Sequence, residues 1–366
     1  MTRNACKLVL SIALLVIVLS AKLVSAQQPM LDPNLVAQSG KKVTEDYQIS
    51  FPKDHYAHPD FDIEWWYLTS NLEDTQGNQY ALQFTLFRFR TGQAENNWDD
   101  GQAYMGHASI HAGDQHWFTE KFAKGGVGNA GVTAKPFTAF IDDWLWQADV
   151  QPIDDMFPSR LRFSAASTDD VNQSASADLM LDSQQAYVLH GEQGYSIKSG
   201  NQQHASYYYS QPFIKVSGSL LLEDNEIEVS GNAWFDHEWT SQLIDQQTVG
   251  WDWFSIHLDN GDKLMAFVMR LDGQQDYATG TYIAQNGDQR VLLPHEISIN
   301  AIRSEKVNGT TIPLEWSLRI PSKNIDIITK TTKDDQFNPA RFSYYEGSIQ
   351  VSGSHKGIGF MELTGY

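Results

Sequence analysis

The chain has 366 residues, of which 45 are Asp or Glu and 26 are Lys or Arg, so its formal net charge is −19. This acidic balance argues against nucleic-acid partners, because phosphate-backbone binding requires clustered basic side chains. A single cysteine, Cys6, excludes an internal disulfide.

The first 26 residues predict a secretory signal peptide. Arg3 and Lys7 precede an apolar run over 8–21, and small residues follow at 24–26. The run is short for a membrane span, although an uncleaved anchor is the alternative. We therefore expect an exported protein, periplasmic or secreted. Residues 27–45 are polar and contain two prolines, which predicts an extended arm.

Alternating apolar and polar runs dominate the rest of the chain. Examples are "YALQFTLFRFR" (80–90), "LLLEDNEIEVSG" (220–231) and "KLMAFVMRL" (263–271), with turns such as "DNGD" between them. Period-two alternation punctuated by Gly, Asn and Asp predicts an all-β chain of short antiparallel strands. The pattern alone leaves barrel and sandwich open.

The chain also repeats itself. The segment 64–90 resembles 252–270, since each has an acid, Trp residues and two alternating strands around an acidic Gly turn. In the same order, 208–219 resembles 344–354. This order predicts two β domains of one plan, over 46–241 and 242–366. We expect a monomer.

Four segments carry a resemblance to a known family: "HPDFDIEWWYLTSNL", "GNAWFDHEWTSQ", "GWDWFSIHLDNGDKLMAFVMR" and "YYEGSIQVSGSHKGIGFMELTGY". Together they resemble the AttH/carotenoid 1,2-hydratase-like family of exported lipocalin-like proteins. The resemblance implies two lipocalin-like antiparallel β-barrel domains, a calycin-like fold, and small apolar ligands such as isoprenoids, polyenes or lipids. Some relatives add water to a carbon–carbon double bond without a cofactor. Others are accessory proteins of membrane lipid-transport systems.

The candidate catalytic residues are His237, Trp239 and Asp252. By resemblance, the first two match the family's "HEW" positions and Asp252 matches its "WDW" acid. A carboxyl group in an apolar pocket keeps its proton near neutral pH and serves as a general acid. Imidazole accepts a proton from water, and indole faces stabilise a carbocation. If these residues form a site, they should border one cavity, and Asp252 should lack a nearby Lys or Arg.

The alternative is that the "DHEW" segment joins two domains. Successive side chains of a strand point to opposite faces, so Asp236 and Glu238 should face one way and His237 and Trp239 the other. All four cannot line one pocket unless the strand twists or bulges.

Five further residues are predicted to bind the ligand: Glu64, Trp65, Trp66, His107 and Trp253. A buried Glu64 requires a partner, for which Arg88 and His107 are candidates. His107 and His111 lie on one strand face about 13 Å apart, too far to bind one ion. We therefore expect no tightly bound transition metal and no cofactor.

The sequence thus favours an exported protein that binds an apolar ligand and acts as a cofactor-free hydratase, a hydro-lyase. The alternative is a carrier without catalysis that works with a membrane transport complex. A binding barrel and a hydratase need the same apolar lining, so the sequence leaves enzyme activity open.

Overall fold

The computed structural model describes residues 39–366 except 93–97, 150–154, 171 and 244–246. The predicted signal peptide and most of the predicted arm lie outside the described residues. Within the described part, no helix is long and apolar enough to cross a membrane. Its helices are 3-10 turns at Lys53–His55 and Pro321–Lys323.

Thirteen strands form the first sheet. They are β1 (Ile63–Asp74), β2 (Gln79–Arg90), β3 (Gln102–Ala112), β4 (Gln115–Lys124), β5 (Ala130–Thr133), β6 (Thr138–Ile141), β7 (Trp144–Ala148), β8 (Ser159–Ser167), β9 (Ser174–Asp182), β10 (Val188–Leu189), β11 (Tyr195–Ile197), β12 (Ala205–Leu222) and β13 (Asn225–Thr240).

Eight of these strands close into a barrel. The antiparallel pairing runs β12-β13-β1-β2-β3-β4-β8-β9 and returns from β9 to β12. The hairpins β5 to β7 extend the sheet from β8, and β10 and β11 pair with β12. Closure leaves no free edge within this ring.

Ten strands form the second sheet, which is open and curls into a half-barrel. They are β14 (Thr248–Leu258), β15 (Lys263–Leu271), β16 (Tyr277–Ile283), β17 (Gln289–Leu292), β18 (Ser298–Val307), β19 (Thr310–Ile320), β20 (Ile325–Thr331), β21 (Phe337–Asn338), β22 (Tyr344–Gly353) and β23 (Gly357–Leu363). The predicted all-β, lipocalin-like fold is confirmed.

The internal repeat appears as a shared order of neighbours. The first sheet runs β12-β13-β1-β2-β3, and the second runs β22-β23-β14-β15-β16. Each sheet therefore pairs its first long strand with its last, as the two similar segments of sequence do. The last strand of the first sheet ends at Thr240, and the first strand of the second sheet begins at Thr248.

Large aromatic side chains pack the interior of the first barrel. Rings that are buried there belong to Trp66, Phe84, Trp144, Trp146, Phe163, Tyr207, Tyr209, Phe235 and Trp239. A lipocalin-like calyx is thus occupied by the protein's own side chains.

The outer face of the barrel at β1 and β13 packs against the second sheet. Tyr67 and Trp234 from the barrel join Trp253 and Phe267 from β14 and β15 in one buried cluster. Because alternate residues point to opposite faces, these strands are buried on both sides. This explains why polar side chains on both faces of β13, such as Asp236 and His237, are buried.

Candidate active site between the two sheets

A mostly apolar cavity lies where the barrel meets the second sheet. Its lining consists of Ile63, Trp65, Tyr67, Thr85, Phe87, Tyr208, Asp236, Glu238, Leu243, Trp251, Trp253, Phe267 and Glu362. About 50 Å³ of it is open to the centre of a water molecule. One water needs roughly 10–15 Å³ on that measure, so the cavity takes a few waters or one end of a ligand.

Asp236 presents one oxygen atom with no partner at this cavity. Its Oδ1 accepts hydrogen bonds from Tyr208 OH at 2.9 Å, from Trp234 Nε1 at 2.9 Å and from the Ser210 hydroxyl. Its Oδ2 is buried and has no hydrogen-bond partner among the described residues. Burial raises the pKa of Asp236 to about 7, against the three hydrogen bonds, which lower it. Near neutral pH the proton therefore belongs on Oδ2.

A second carboxyl group reaches the same cavity from β23. Glu362 Oε1 accepts a hydrogen bond from Trp251 Nε1 at 2.9 Å. Burial raises the pKa of Glu362 to about 7, and the negative charges of Asp236 and Glu238 add to this. The pKa values of Asp236 and Glu362 both lie at about 7, and the charge of Asp236 raises that of Glu362, so the protonation of the two groups is coupled. One protonated and one ionised acid can therefore coexist here at neutral pH.

Glu238 is the third acid of the lining and is paired with a lysine. Lys198 Nζ lies 3.1 Å from Glu238 Oε1, an ion pair without hydrogen-bond geometry. The ammonium group also lies 4.4 Å from the ring centre of Tyr208 and 4.6 Å from that of Phe267. Aromatic faces and a carboxylate together compensate for the burial of this charge.

Strand alternation places His237 and Trp239 in the barrel interior, away from the cavity. The two pairs face opposite ways, as the alternation predicted, but it is Asp236 and Glu238 that face the cavity. His237 Nε2 contacts Glu64 Oε1 at 2.8 Å and its ring stacks on Trp66 at 4.6 Å. His237, Trp239 and Glu64 thus belong to a polar cluster inside the barrel that is separate from the cavity.

Glu64 is the centre of that interior cluster. The predicted partner Arg88 is confirmed, with its Nε 2.7 Å from Glu64 Oε2. His58 Nδ1 lies 2.6 Å from Glu64 Oε1, and the His58 ring stacks on Trp239 at 3.9 Å. Burial alone would raise the pKa of Glu64, but the charges of His58 and Arg88 hold it well below its usual range.

The cluster also has a set of atoms that could hold a metal ion. Nitrogen atoms of His58 and His237 and an oxygen of Glu64 lie within 4.8 Å of one another. In the structure, Glu64 Oε1 instead lies within hydrogen-bonding distance of both imidazoles. The expectation of no tightly bound metal rested on the spacing of His107 and His111 and on the absence of cysteine after the predicted signal peptide, and it stays a prediction.

The expected environment of Asp252 is wrong. Arg270 Nε lies 3.3 Å from its Oδ2, and Tyr366 OH donates to its Oδ1 at 2.8 Å. Burial raises the pKa of Asp252 to about 6, while Arg270 opposes the shift. Asp252 alternates with Trp251 and Trp253, so it points away from the cavity that they line. The prediction that His237, Trp239 and Asp252 border one cavity is therefore wrong as well.

The remaining predicted residues divide between the same regions. Trp65 and Trp253 line the cavity. Trp66 lies in the barrel core. His107 contacts Tyr344 OH at 2.9 Å and Glu120 at 3.0 Å between the two sheets, outside the cavity lining.

Sequence reasoning did not single out Glu362 and Lys198. The available signal for Glu362 was an acid in "GIGFMEL", an otherwise apolar strand. No comparable signal marks Lys198, because its burial depends on contacts with distant strands.

A second cleft lies beside the polar cluster of the barrel. It is wider, at about 660 Å³, and its lining includes Tyr56, Arg88, Gln102 and Tyr104. Its lining is more polar than that of the cavity between the sheets, which makes it less suited to an apolar ligand.

Comparison with known proteins agrees with the fold. The sequence model of the AttH-like family matches residues 42–366. A crystal structure of a protein assigned to AttH from Nitrosomonas europaea is similar, with 28% identity and a TM-score of 0.78, over 89% of this chain and 99% of that one. Kievitone hydratase from Nectria haematococca shares the fold at 18% identity and a TM-score of 0.66, over 90% of this chain and 98% of that one. No curated protein sequence matches the chain.

Proposed function

Since the chain belongs to the AttH-like family, we propose that it binds an apolar isoprenoid or lipid in the cavity between its sheets and adds water to a carbon–carbon double bond there. The observation that carries this proposal is the pair Asp236 and Glu362, two buried acids with raised pKa values at one apolar cavity. The fold shared with an enzyme named as a hydratase supports the same reaction class.

In this mechanism Asp236 is the general acid. Its Oδ2–H bond breaks as the π electrons of the double bond take the proton, which leaves a cation on the more substituted carbon. The rings of Trp65, Trp251 and Trp253 line the cavity and stabilise that cation by roughly 0.5–2 kcal/mol each where a face is presented. The cavity thus supplies both the proton and the surroundings that the intermediate needs.

Glu362 is the base that completes the addition. Water attacks the cation, and its proton passes to the Glu362 carboxylate as the carbon–oxygen bond forms. Transfer of that proton back to Asp236 through solvent in the cavity restores the starting state. The balance is one alkene and one water to one alcohol, with no oxidant or reductant.

Export belongs to the proposal too, supported by the basic start and apolar run of residues 1–26. A location outside the cytoplasm suits a protein whose ligand partitions into membranes. Association with a membrane transport complex stays a prediction.

The test is turnover of geraniol by the purified protein, with the hydrated product detected by mass spectrometry. Asp236→Asn and Glu362→Gln preserve shape and remove the acids, and each should lower the rate by about 10²–10⁴-fold. Asp178→Asn, which changes a half-buried carboxyl group on β9 that pairs with Arg160 outside the cavity lining, is the control and should not lower the rate.

Equal rates for wild type and Asp236→Asn would contradict the catalytic assignment. Binding of geraniol without turnover by the wild type would instead favour the carrier role. Absence of binding would overturn both functions for this ligand class.

A further inference from the structure

We infer that the cavity selects a ligand that carries a hydroxyl group on an apolar body over the matching pure hydrocarbon. The inference rests on the proposed function and refines its substrate class. Its basis is the polar wall that β12 and β13 contribute to an otherwise aromatic cavity.

Two oxygen atoms on this wall retain hydrogen-bonding capacity. Asp236 Oδ2 and Glu238 Oε1 are buried, and neither has a hydrogen-bond partner among the described residues. A hydrocarbon that covered them in place of water would leave Asp236 Oδ2 without a partner and Glu238 Oε1 with only its ion pair to Lys198, 3.1 Å away. A buried polar atom without a partner is costly, whereas a ligand hydroxyl group replaces the lost water.

Lys198 fixes the place where the hydroxyl group binds. Lys198 is not itself a lining residue, but its ammonium group holds Glu238 as an ion pair and lies against the rings of Tyr208 and Phe267, and these three partners line the cavity. A ligand hydroxyl group can donate to Glu238, which lines the cavity and is otherwise held only by its ion pair to Lys198. A carboxylate on the ligand would lie beside the three acids of the lining, Asp236, Glu238 and Glu362, and their negative charge disfavours it.

The spacing along β13 adds a length requirement. Asp236 and Glu238 are two residues apart on one face, which corresponds to about 6.6–6.8 Å along a strand. With the hydroxyl group at Glu238 and the reacting carbon at Asp236, the two ligand groups must be separated by about the same distance. In a terpene alcohol this selects a distal double bond over the one next to the hydroxyl-bearing carbon.

The experiment compares two ten-carbon probes, geraniol and the hydrocarbon myrcene, by quenching of tryptophan fluorescence. The wild type should bind geraniol at least about tenfold more tightly, the effect of one buried polar group left bare. The double variant Lys198→Met/Glu238→Met removes the charge pair and its hydrogen-bonding atoms together, so that neither charge is left buried and unpaired. It should reduce the preference to within about threefold while the affinity for myrcene is maintained. Asp178→Asn should keep the wild-type preference.

Equal affinity of the wild type for the two probes would overturn the inference and leave the proposed binding intact. A double variant that is folded by circular dichroism and keeps the full preference would also overturn it, because the preference would then come from elsewhere. If neither probe binds the wild type, the proposed function fails and the inference falls with it.

Discussion

Replacement of Asp236 by Asn should flatten the dependence of stability on pH. Burial raises the pKa of Asp236 from 3.8 to about 7 in the folded protein. Between these values the folded state keeps a proton that the unfolded state has lost. Stability therefore falls as pH rises from about 4 to 7 and levels off above.

The size of the effect follows from the shift. Three pKa units at 1.36 kcal/mol each give an order of magnitude of 4 kcal/mol over the whole window. Roughly 2–3 kcal/mol of this lies between pH 5 and pH 8. Asparagine does not titrate. Between pH 5 and pH 8, the free energy of unfolding of Asp236→Asn should therefore fall by about 2–3 kcal/mol less than that of the wild type. Its amide leaves the Oδ1 contacts with Tyr208 and Trp234 possible.

The assay is urea unfolding at pH 5 and pH 8 for the wild type, Asp236→Asn and the control Asp178→Asn on β9. The control should follow the wild type. If Asp236→Asn loses as much stability between pH 5 and pH 8 as the wild type does, then Asp236 does not hold a proton near neutrality. The assignment of the general acid would then fail.

Three other substitutions test the roles of charged residues outside the cavity lining. Asp252→Asn removes the anionic partner of Arg270 and should cost about 1–2 kcal/mol in urea unfolding at pH 8. Turnover of geraniol should stay within about twofold of the wild type. A loss of turnover like that of Asp236→Asn would restore Asp252 as the acid. Glu64→Gln leaves the buried Arg88 without its anion, so thermal unfolding should show about 3–5 kcal/mol of destabilisation, and an unchanged melting temperature would contradict the ion pair. Burial lowers the pKa of His116 to about 4, and the charge of Lys333 adds to the shift. The free energy of unfolding therefore decreases as pH falls from 6.5 towards 4. His116→Gln should show a smaller decrease than the wild type in urea unfolding over this range.

The fold was predictable because each signal was local or repeated. Period-two runs and turn residues predicted antiparallel strands, and the ordered repeat predicted two similar halves. The two hairpins β1–β2 and β14–β15 coincide with the similar segments 64–90 and 252–270. That the first sheet closes and the second remains open depends on long-range pairing of β9 with β12, for which the sequence has no local signal.

The site was predicted only in part because its residues depend on which face of each strand meets the second sheet. Alternation correctly separated Asp236 and Glu238 from His237 and Trp239. It could not decide which pair faced the cavity, because both faces of β13 are buried. The same holds for Asp252, whose partner Arg270 comes from a neighbouring strand and terminates the similar segment 252–270. A pattern that marks an acid among indoles does not reveal the cation beside it.

The central claim is that the ligand binds between the two sheets, and photoaffinity labelling tests it most directly. A geraniol analogue with a diazirine group would be irradiated with the purified protein, and the labelled peptides would be mapped by mass spectrometry. We expect adducts at Trp65, Trp251 or Trp253 that excess geraniol abolishes. Competed adducts at the other cleft, near Tyr56 or Tyr104, with none at these tryptophans, would contradict it.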